Sequence, residues 1–463
     1  MAQSENIREE AAEEFAPPPV IKGRHTFSSI TQKISAPIFK PTPTGWFLGF
    51  GLSFALLMLF MFSIARLFSR GIGIWGVNQP VAWGLAITNF VWWIGIGHAG
   101  TLISAMLLLM NQKWRTSINR FAEAMTLFAL ACAGLYPILH LGRPEYFYWL
   151  LPYPNIEDVW PQFRSPLVWD VFAILIYGVV SLFFWYTGLL PDLATMRDRA
   201  KSRAAWAIYG MLALGWRNDA RHWHRYERAY LMLAALATPL VVSVHSIVSY
   251  DFSVAILPGW HTTLSPPYFV AGAAFSGLAM VIIITIPLRA AFRLEDFITK
   301  RHFDNLAKIM LAMGLLVTYG YIIERFSAWY GGNLYEAYNA SERARGVYAL
   351  MFWTQIVSNA IAPQLLWFKR VRTNLPILFV LSLVICTGMW FERYVIVIES
   401  LHRDFLPSSW GVFSATLWDW ATLVGSFGLF LSLLFLFVRF LPSVSMSEMR
   451  KLLQQSKVKE DEA

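Results

Sequence analysis

The chain has 463 residues, of which 56% are hydrophobic and only 14% are charged, and its mean hydropathy is +0.47. A soluble domain usually carries about a quarter charged residues, so this composition excludes an ordinary soluble domain and indicates a polytopic membrane protein. The net charge of +9 does not predict nucleic-acid binding, because the basic residues are spaced as membrane-topology signals.

Residues 1–44 predict a polar, partly irregular cytoplasmic arm. They contain acidic residues followed by basic residues and prolines, without the apolar core that a signal peptide requires. The remaining sequence divides into a first transmembrane helix with its outer loop (45–83), a first four-helix bundle (84–267), a second four-helix bundle (268–417), and a last transmembrane helix with a cytoplasmic tail (418–463).

The apolar runs predict an all-α protein with ten transmembrane helices. Each run is long enough to cross a bilayer of about 30 Å, and all are too long and continuous for barrel strands. The predicted spans are 46–65, 84–111, 121–141, 167–190, 229–250, 268–288, 304–323, 347–367, 375–396 and 418–440.

The distribution of lysine and arginine predicts the orientation of these spans. Loops after the even-numbered spans are basic: the loop after span two carries Lys113, Arg115 and Arg120, and the loop after span four carries eight such residues between 197 and 228. The loop after span five, residues 251–267, has none. The positive-inside rule therefore places both termini in the cytoplasm.

A weak internal repeat relates spans two to five to spans six to nine. His140 and Glu324 each end an apolar run before aromatic residues, and they are 184 positions apart. Trp169 and Trp353 are separated by the same interval. An offset of four helices keeps the membrane orientation, so the two bundles are predicted to be parallel repeats, with spans one and ten peripheral.

The stretch LYPILHLGRPEYFYW ends predicted span three at His140, and Asp170 lies at the start of span four. Antiparallel neighbouring helices would bring these two residues to one outer pocket. A histidine exchanges protons near neutral pH, and a buried carboxyl group can do so too. The pair suits oxidation of a quinol, which releases two protons and two electrons. The alternative is an interfacial helix-end pair without chemistry.

Other side chains could line the same pocket. Tyr136 and Trp169 lie beside the pair and fit either an interfacial aromatic belt or the walls around a flat quinone ring. Asp251, Glu324 and Arg393 also fall near the outer ends of their spans. Ionisable groups inside a membrane are costly and are usually functional, although Asp251 could be a plain helix-end carboxylate and Arg393 could only pair with a neighbouring charge.

Two histidines are predicted to lie deeper. His98, in the small-residue segment GHAGTLISA, falls near mid-membrane, where Gly95, Gly97 and Gly100 favour close helix contacts. His245 is predicted nearer the outer face, as a core histidine or a member of a proton relay. A bis-histidine haem needs two histidines at matching depth, so the difference in depth argues against haem b.

Motifs for other cofactors are missing from the sequence. Cys132 and Cys386 lie in apolar runs without CxxC or CxxCH patterns, which excludes a disulfide framework, a zinc or iron–sulfur site and covalently attached haem. No phosphate loop, nucleotide fingerprint or Ser–His–Asp order is present. We therefore expect no metal and no covalently bound cofactor in this chain.

The second helix with GHAGTLISA, the third helix ending at His140 and the Trp169–Asp170 start of the fourth resemble the NrfD-like integral membrane subunits, which include the polysulfide-reductase membrane subunit. Over about 46–440 the chain looks most like the larger, quinol-oxidising NrfD-like subunit of bacterial alternative complex III. Within that complex the resemblance separates it from a sister subunit that lacks a working quinol site, because both His140 and Asp170 are present.

The resemblance implies a subunit without a redox centre of its own. Menaquinol or ubiquinol would bind at the outer face to His140 and Asp170, with Asp251 and Arg393 nearby. Electrons would pass to iron–sulfur clusters in a periplasmic subunit and to haem c in cytochrome subunits, beside a second NrfD-like membrane subunit and membrane lipid. Protons would move along a path that includes His98, His245 and Glu324.

Two other classes of function remain as alternatives. Parallel repeats and polar groups near mid-membrane also occur in secondary transporters, which should show matching helices broken by glycine or proline in both halves. The chain could instead be a purely structural anchor for a periplasmic oxidoreductase. An anchor would keep full electron flow after replacement of His140 and Asp170.

Overall fold

A computed structural model of the chain describes residues 20–151 and 162–461, with side chains up to 455. The described residues are helical and contain no strand, which confirms the predicted all-α class. The α-helices of six or more residues are α1 (Phe27–Phe39), α2 (Thr44–Arg70), α3 (Gly84–Thr101), α4 (Asn119–Ala133), α5 (Leu135–His140), α6 (Pro166–Arg199), α7 (Arg203–Leu212), α8 (Ala220–Ser253), α9 (Ser265–Ala291), α10 (Lys300–Tyr330), α11 (Leu334–Arg345), α12 (Ala349–Ile356), α13 (Leu375–Tyr394), α14 (Leu417–Phe440) and α15 (Met446–Asp461).

Three helices pass into π-helical turns. The turns are Leu102–Met106 after α3, Val357–Ile361 after α12 and Val395–Glu399 after α13. A π turn accommodates one extra residue and changes the direction of the side chains that follow; such turns often occur at functional sites. After the second of them, a 3₁₀ segment, Ala362–Trp367, completes the eighth predicted span.

The described residues contain nine continuous helical segments that are long and apolar enough to cross a membrane. The predicted eighth span is divided into three helical types and is not among them. Trp46, at the start of α2, donates a hydrogen bond to the Phe435 carbonyl near the end of α14 (3.0 Å), while Ser63 lies 2.8 Å from Thr422 at the other end. The first and last crossings are therefore antiparallel, which requires an even number of crossings. The interrupted segment Ala349–Trp367 fits the tenth crossing that this even number calls for.

Helices α3 and α9 form the centre of the molecule. In each of them, 83% of the most apolar stretch is buried. Their contact depends on small residues, since a Cβ atom on Gly277 would lie 2.1 Å from the Cβ of Ala99. Gly100 is packed as closely, because a Cβ there would lie 1.9 Å from the Ala122 carbonyl oxygen on α4. The close approach predicted for the GHAGT segment is thus observed at Gly100.

Around this centre, α3, α4, α6 and α8 pack on one another, and α9, α10, α12 and α13 pack on one another. These two groups correspond to the predicted four-helix bundles. The pair α2 and α14 lies at the periphery, with α14 resting against α4. The arrangement brings the end of α5, the start of α6 and the end of α8 together with the connection before α3, at the end of the bundle that is predicted to be the outer one.

Helices α1 and α15 lie together on one face of the bundle. Arg450 on α15 donates to the Thr31 hydroxyl on α1, and Arg115 in a loop forms an ion pair with Glu448 on α15 (2.9 Å). The two ends of the described chain therefore share a face with the lysine- and arginine-rich loops.

Candidate functional site

Asp170 and Asp251 form a carboxyl pair between α6 and α8. Asp170 belongs to the buried stripe of α6 that also contains Ala173 and Tyr177, and its residue is 6% exposed. Its side chain lies close enough to that of Asp251, two residues before the end of α8, for the two carboxyl groups to interact. Two charged carboxylates buried side by side repel each other, and this repulsion favours a proton shared between them. No donor among the described residues reaches the buried Oδ1 atom of either side chain.

His140 lies at the neighbouring outer end of α5, directly before the Leu141–Gly142 turn, whose glycine has φ +76°. Its Nδ1 atom is buried without a hydrogen-bond partner among the described residues. The ring packs edge-on against Trp83, whose indole contacts Phe252 and Trp260 with centroid distances of 5.7 and 5.4 Å. Because Phe252 follows Asp251, an aromatic box connects the histidine to the helix that carries the carboxyl pair.

The described structure records no hydrogen bond or ion pair between His140 and Asp170. The two predicted partners share the outer end of the first bundle, but the direct partner of Asp170 is Asp251. Sequence reasoning named Asp251 as a separate pocket wall and missed this pairing. It also missed Trp83, which lies in a connection between spans rather than in an apolar run.

The two predicted aromatic residues occupy different environments. Tyr136 is fully buried, and its hydroxyl donates to the Thr422 carbonyl on α14 (3.4 Å). Trp169 is 41% exposed on the outer surface, with its indole nitrogen donating to the Phe163 carbonyl (2.7 Å). Tyr136 therefore packs toward the peripheral helix pair, while Trp169 faces away from the interior. Their assignment as quinol-binding residues stays a prediction.

His98 and His245 lie in contact, with ring centroids 4.7 Å apart. The sequence had placed them at different depths, His98 near mid-membrane and His245 nearer the outer face. That estimate was wrong, because helix ends are staggered and tilted, so distance from an end does not give depth. The direct contact leaves no gap for a porphyrin, so the pair does not fit a bis-histidine haem.

The histidine pair has unused hydrogen-bonding capacity. His98 Nδ1 is 2.5 Å from the Ile94 carbonyl oxygen, and its ring stacks on Tyr177 at 4.9 Å. His98 Nε2 and both ring nitrogens of His245 are buried without partners among the described residues. Tyr177 in turn donates to Thr101 (3.1 Å). This chain of polar groups extends from the histidines into the first bundle.

Arg393 connects the histidine pair to the second bundle. It is buried, lies 3.2 Å from Glu392 and stacks over Phe269 with 4.3 Å to the ring centroid. Phe269 also contacts His245, with ring centroids 5.9 Å apart. A Cβ on Gly272 would lie 2.9 Å from the Arg393 guanidinium, so glycine leaves room for the charged group. The structure places Arg393 near the histidines, not beside the carboxyl pair.

Glu324 belongs to a separate ion-pair cluster. Arg343 on α11 binds Glu324 (2.5 Å) and Glu399 (2.7 Å), and it also donates to the hydroxyl of Ser400 (2.8 Å). Arg343 lies outside the predicted spans, and these two carboxylates raise the pKa of its guanidinium above the ordinary value although burial alone would lower it. No hydrogen bond in the described structure joins Glu324 to His98 or His245. Its place in a proton path stays a prediction.

A buried polar cluster in the first bundle was missed by sequence reasoning. Glu123 accepts hydrogen bonds from Ser104 and from Tyr230, and its carboxylate lies 3.9 Å from Arg120. Arg120 had been counted as a loop charge, but it is 1% exposed and donates to the Gly188 carbonyl (2.7 Å). The available signal was the Arg–x–x–Glu spacing at the start of an apolar run, which puts both charges on one helix face.

Within residues 20–151 and 162–461, no group of three or more histidine, cysteine or acidic side chains could hold a metal ion. Cys132 and Cys386 are both buried and free, as predicted. The chemistry available in the described part of the chain is therefore acid–base: a carboxyl pair, an unpartnered histidine at the outer end and a deeper histidine pair.

Comparison with known proteins gives one family and several distant relatives. The family model described as "Polysulphide reductase, NrfD" matches residues 74–403. A candidate membrane subunit of a dimethyl sulfoxide reductase from Halobacterium salinarum is 25% identical over 365 residues, covering 75% of this chain and 78% of the relative. A selenate reductase subunit from Mesobacillus selenatarsenatis is 23% identical, covering 81% of this chain and 89% of the relative. An Hdr-like menaquinol oxidoreductase integral membrane subunit from Archaeoglobus fulgidus is 23% identical, covering 59% and 58%.

Proposed function

Because this multi-pass membrane chain belongs to the NrfD polysulphide reductase family, we propose that it is the quinol-binding and quinol-oxidising membrane subunit of an electron-transfer complex. The substrate is menaquinol or ubiquinol. The observation that carries the proposal is the buried Asp170–Asp251 carboxyl pair, next to an aromatic box that ends at His140.

The chemistry required of the site is proton removal. Oxidation of a quinol to a quinone releases two protons and two electrons, and each proton needs a positioned acceptor. The unpartnered Nδ1 of His140 can accept one proton, and the carboxyl pair can accept another by changing from one shared proton to two. Trp83, Phe252 and Trp260 form an apolar aromatic wall beside His140, of the kind that lines sites for flat apolar ligands.

The two electrons leave the chain. The free cysteines and the histidine contact described above offer no site for a redox centre, so the acceptor must dock at the outer end. We propose an arrangement like that of alternative complex III, in which this chain takes the role of the ActC-type subunit. Its partners would be a periplasmic iron–sulfur subunit, c-type cytochrome subunits and a second NrfD-like membrane subunit, in a bacterial inner membrane with both termini cytoplasmic.

A coupled proton path is the second part of the proposal. The pair His98–His245 and the buried Arg393–Glu392 pair provide polar groups in the apolar interior of both bundles. The reconstituted complex should then acidify the outer compartment by more than the two protons that each quinol releases. A ratio equal to that chemical release would remove the coupled path and leave quinol oxidation intact.

Two other functions predict different behaviour. A secondary transporter of this repeat type needs its two bundles to move against each other, whereas quinol oxidation at the carboxyl pair needs no such motion. A purely structural anchor does not require the carboxyl pair. The relatives named as a menaquinol oxidoreductase subunit and as reductase subunits favour the quinol proposal.

The experiment that tests the proposal is quinol oxidation by the purified assembly carrying His140→Gln or Asp170→Asn. Assembly is checked by gel filtration, and binding of a non-reducible quinol analogue is measured in parallel. We expect intact assembly and analogue binding with turnover reduced by about 100-fold to 10,000-fold, the range for loss of a general acid–base group. Normal turnover in both variants would leave the anchor or the transporter as the better explanation.

A further inference from the structure

A large cavity opens on the face that carries α1 and α15, at the opposite end of the first bundle from His140. Its volume is about 1440 Å³. Its walls are the start of α1, the loop 111–116, the end of α6, the start of α8 and part of α15. This exceeds the roughly 300–1,000 Å³ of ordinary small-molecule sites. None of its wall residues belongs to the proposed quinol site.

The cavity wall carries an excess of positive charge. Seven basic and three acidic side chains line it. Each acidic side chain is already ion-paired with a basic one at 2.6–2.9 Å. Lys113, Arg199 and Arg217 have no ion-pair partner among the described residues. The wall therefore carries four more basic than acidic side chains.

Two buried wall residues also have unused hydrogen-bonding groups. Arg115 is 4% exposed and its Nη1 has no acceptor among the described residues, while the hydroxyl of Tyr226, at 8% exposure, has no partner there either. Unsatisfied buried polar groups are costly, and a bound ligand or water commonly satisfies them. Burial lowers the pKa of Arg450 on the same wall. The charge of Arg199 also lowers it, whereas the charge of Asp192 raises it. An anion with several acceptor oxygens fits all of these groups.

The mouth of the cavity is adjacent to an amphipathic helix. The residues that follow α7 line the cavity, and α7 exposes Trp206 together with Met211, which is 70% exposed. Leu214, two residues after the helix, is 71% exposed. A short helix with large apolar side chains on its open side, next to arginines, is typical of segments that lie in the membrane interface. Acyl chains could thus reach the mouth from the bilayer.

We propose that this cavity binds the phosphate group of an anionic ligand, and that the position of α7 makes an anionic phospholipid its source rather than a soluble phosphate ester. Basic pockets between transmembrane helices on the cytoplasmic side are suited to acidic lipid head groups. The lipid would tie α1, α8 and α15 together. This site is independent of quinol oxidation.

The test uses the full-length chain, stripped of lipid and exchanged into phosphatidylcholine nanodiscs. Binding of fluorescent phosphatidylglycerol is titrated in one arm, and ADP or inorganic phosphate is titrated in the other. The cavity variant is Lys113→Gln with Arg217→Gln. The matched control is Lys369→Gln with Arg370→Gln, two basic residues of another loop that do not line the cavity.

Each basic residue near an anionic lipid contributes about 1 kcal/mol, so the cavity variant should bind phosphatidylglycerol about 30-fold more weakly. The control should bind like the unmodified chain. Tyr226→Phe keeps the ring and removes the hydroxyl, so it should weaken lipid binding by a smaller factor. It tests the cavity even if the double variant does not fold. Strong binding of ADP together with weak binding of the lipid would identify a soluble phosphate ester as the ligand and overturn the assignment of a phospholipid. Equal binding by cavity and control variants, or no binding in either arm, would overturn the proposal.

Discussion

The carboxyl pair gives the sharpest prediction, because its two members should act as one unit. Asp251→Asn keeps a side chain of the same size that can donate to Asp170, but it removes one proton-binding oxygen. We expect the turnover of quinol oxidation to fall about 100-fold, which equals about 2.7 kcal/mol at 1.36 kcal/mol per factor of ten. This value lies within the roughly 1.5–3 kcal/mol assigned to a hydrogen bond that involves a charged group.

The decisive comparison is the double variant. If Asp170 and Asp251 hold one shared proton, removing either carboxyl group destroys the function of both. The turnover of the double variant Asp170→Asn with Asp251→Asn should then be at most about tenfold lower than that of either single variant. Independent residues would multiply their effects to about 10,000-fold. Asp198→Asn on the same helix α6 is the control, since Asp198 is exposed and pairs only with Arg197 among the described residues. Normal turnover in Asp251→Asn, or multiplied losses in the double variant, would refute the shared-proton argument.

Three further predictions concern the framework, and thermal and denaturant unfolding of the purified chain checks each. Gly277→Ala should lower the free energy of unfolding by about 1–3 kcal/mol through overpacking. Gly51→Ala should leave it unchanged, because nothing lies within 4 Å of a Cβ atom at that position. Equal effects of the two variants would contradict the close contact at Gly277. Arg343→Gln should lower the free energy of unfolding by about 3–5 kcal/mol, because it leaves a buried carboxylate without its counter-charge. Arg345→Gln, an exposed position on the same helix, should change it by no more than about 0.5 kcal/mol. Burial raises the pKa of Glu336 above its ordinary value of 4.5. The protonated side chain therefore stabilises the fold below pH 4.5, and this stabilisation is lost as the pH rises through the raised pKa. The melting temperature of Glu336→Gln should accordingly rise relative to the unmodified chain between about pH 4 and pH 7, and a constant difference would contradict the shift.

The sequence predicted the helical class and nine spans that are continuous apolar helices in the described residues, because apolar length is a local property. The interrupted helix Ala349–Trp367 was still found, since hydropathy does not depend on whether a turn is α, π or 3₁₀. The positions of the π turns were not predicted. One extra residue in a turn leaves no mark in the amino-acid composition. The turn at Leu102–Met106 lies only a few residues after His98, which the sequence analysis had singled out.

Pairings between distant residues were the weakest part of the prediction. Asp170 and Asp251 were both named, but nothing local indicates which faces of α6 and α8 meet. The contact between His98 and His245 was missed for a related reason, because depth was measured from helix ends while the ends are staggered. Arg120 was misassigned since a basic residue next to a loop looks the same in sequence whether it faces water or a buried carboxylate.

The antiparallel pair of α2 and α14 has a consequence for biosynthesis. The few buried residues of α2, among them Phe60 and Leu67, face mainly α14. About 350 residues separate the two helices in the chain, which at roughly 5–20 residues per second is on the order of half a minute of translation. During that interval α2 must wait in the lipid without its main packing partner. The last of the long apolar helices to leave the ribosome therefore completes the packing surface of the first, and a chain stopped before α14 would expose α2 to the quality-control proteases of the membrane.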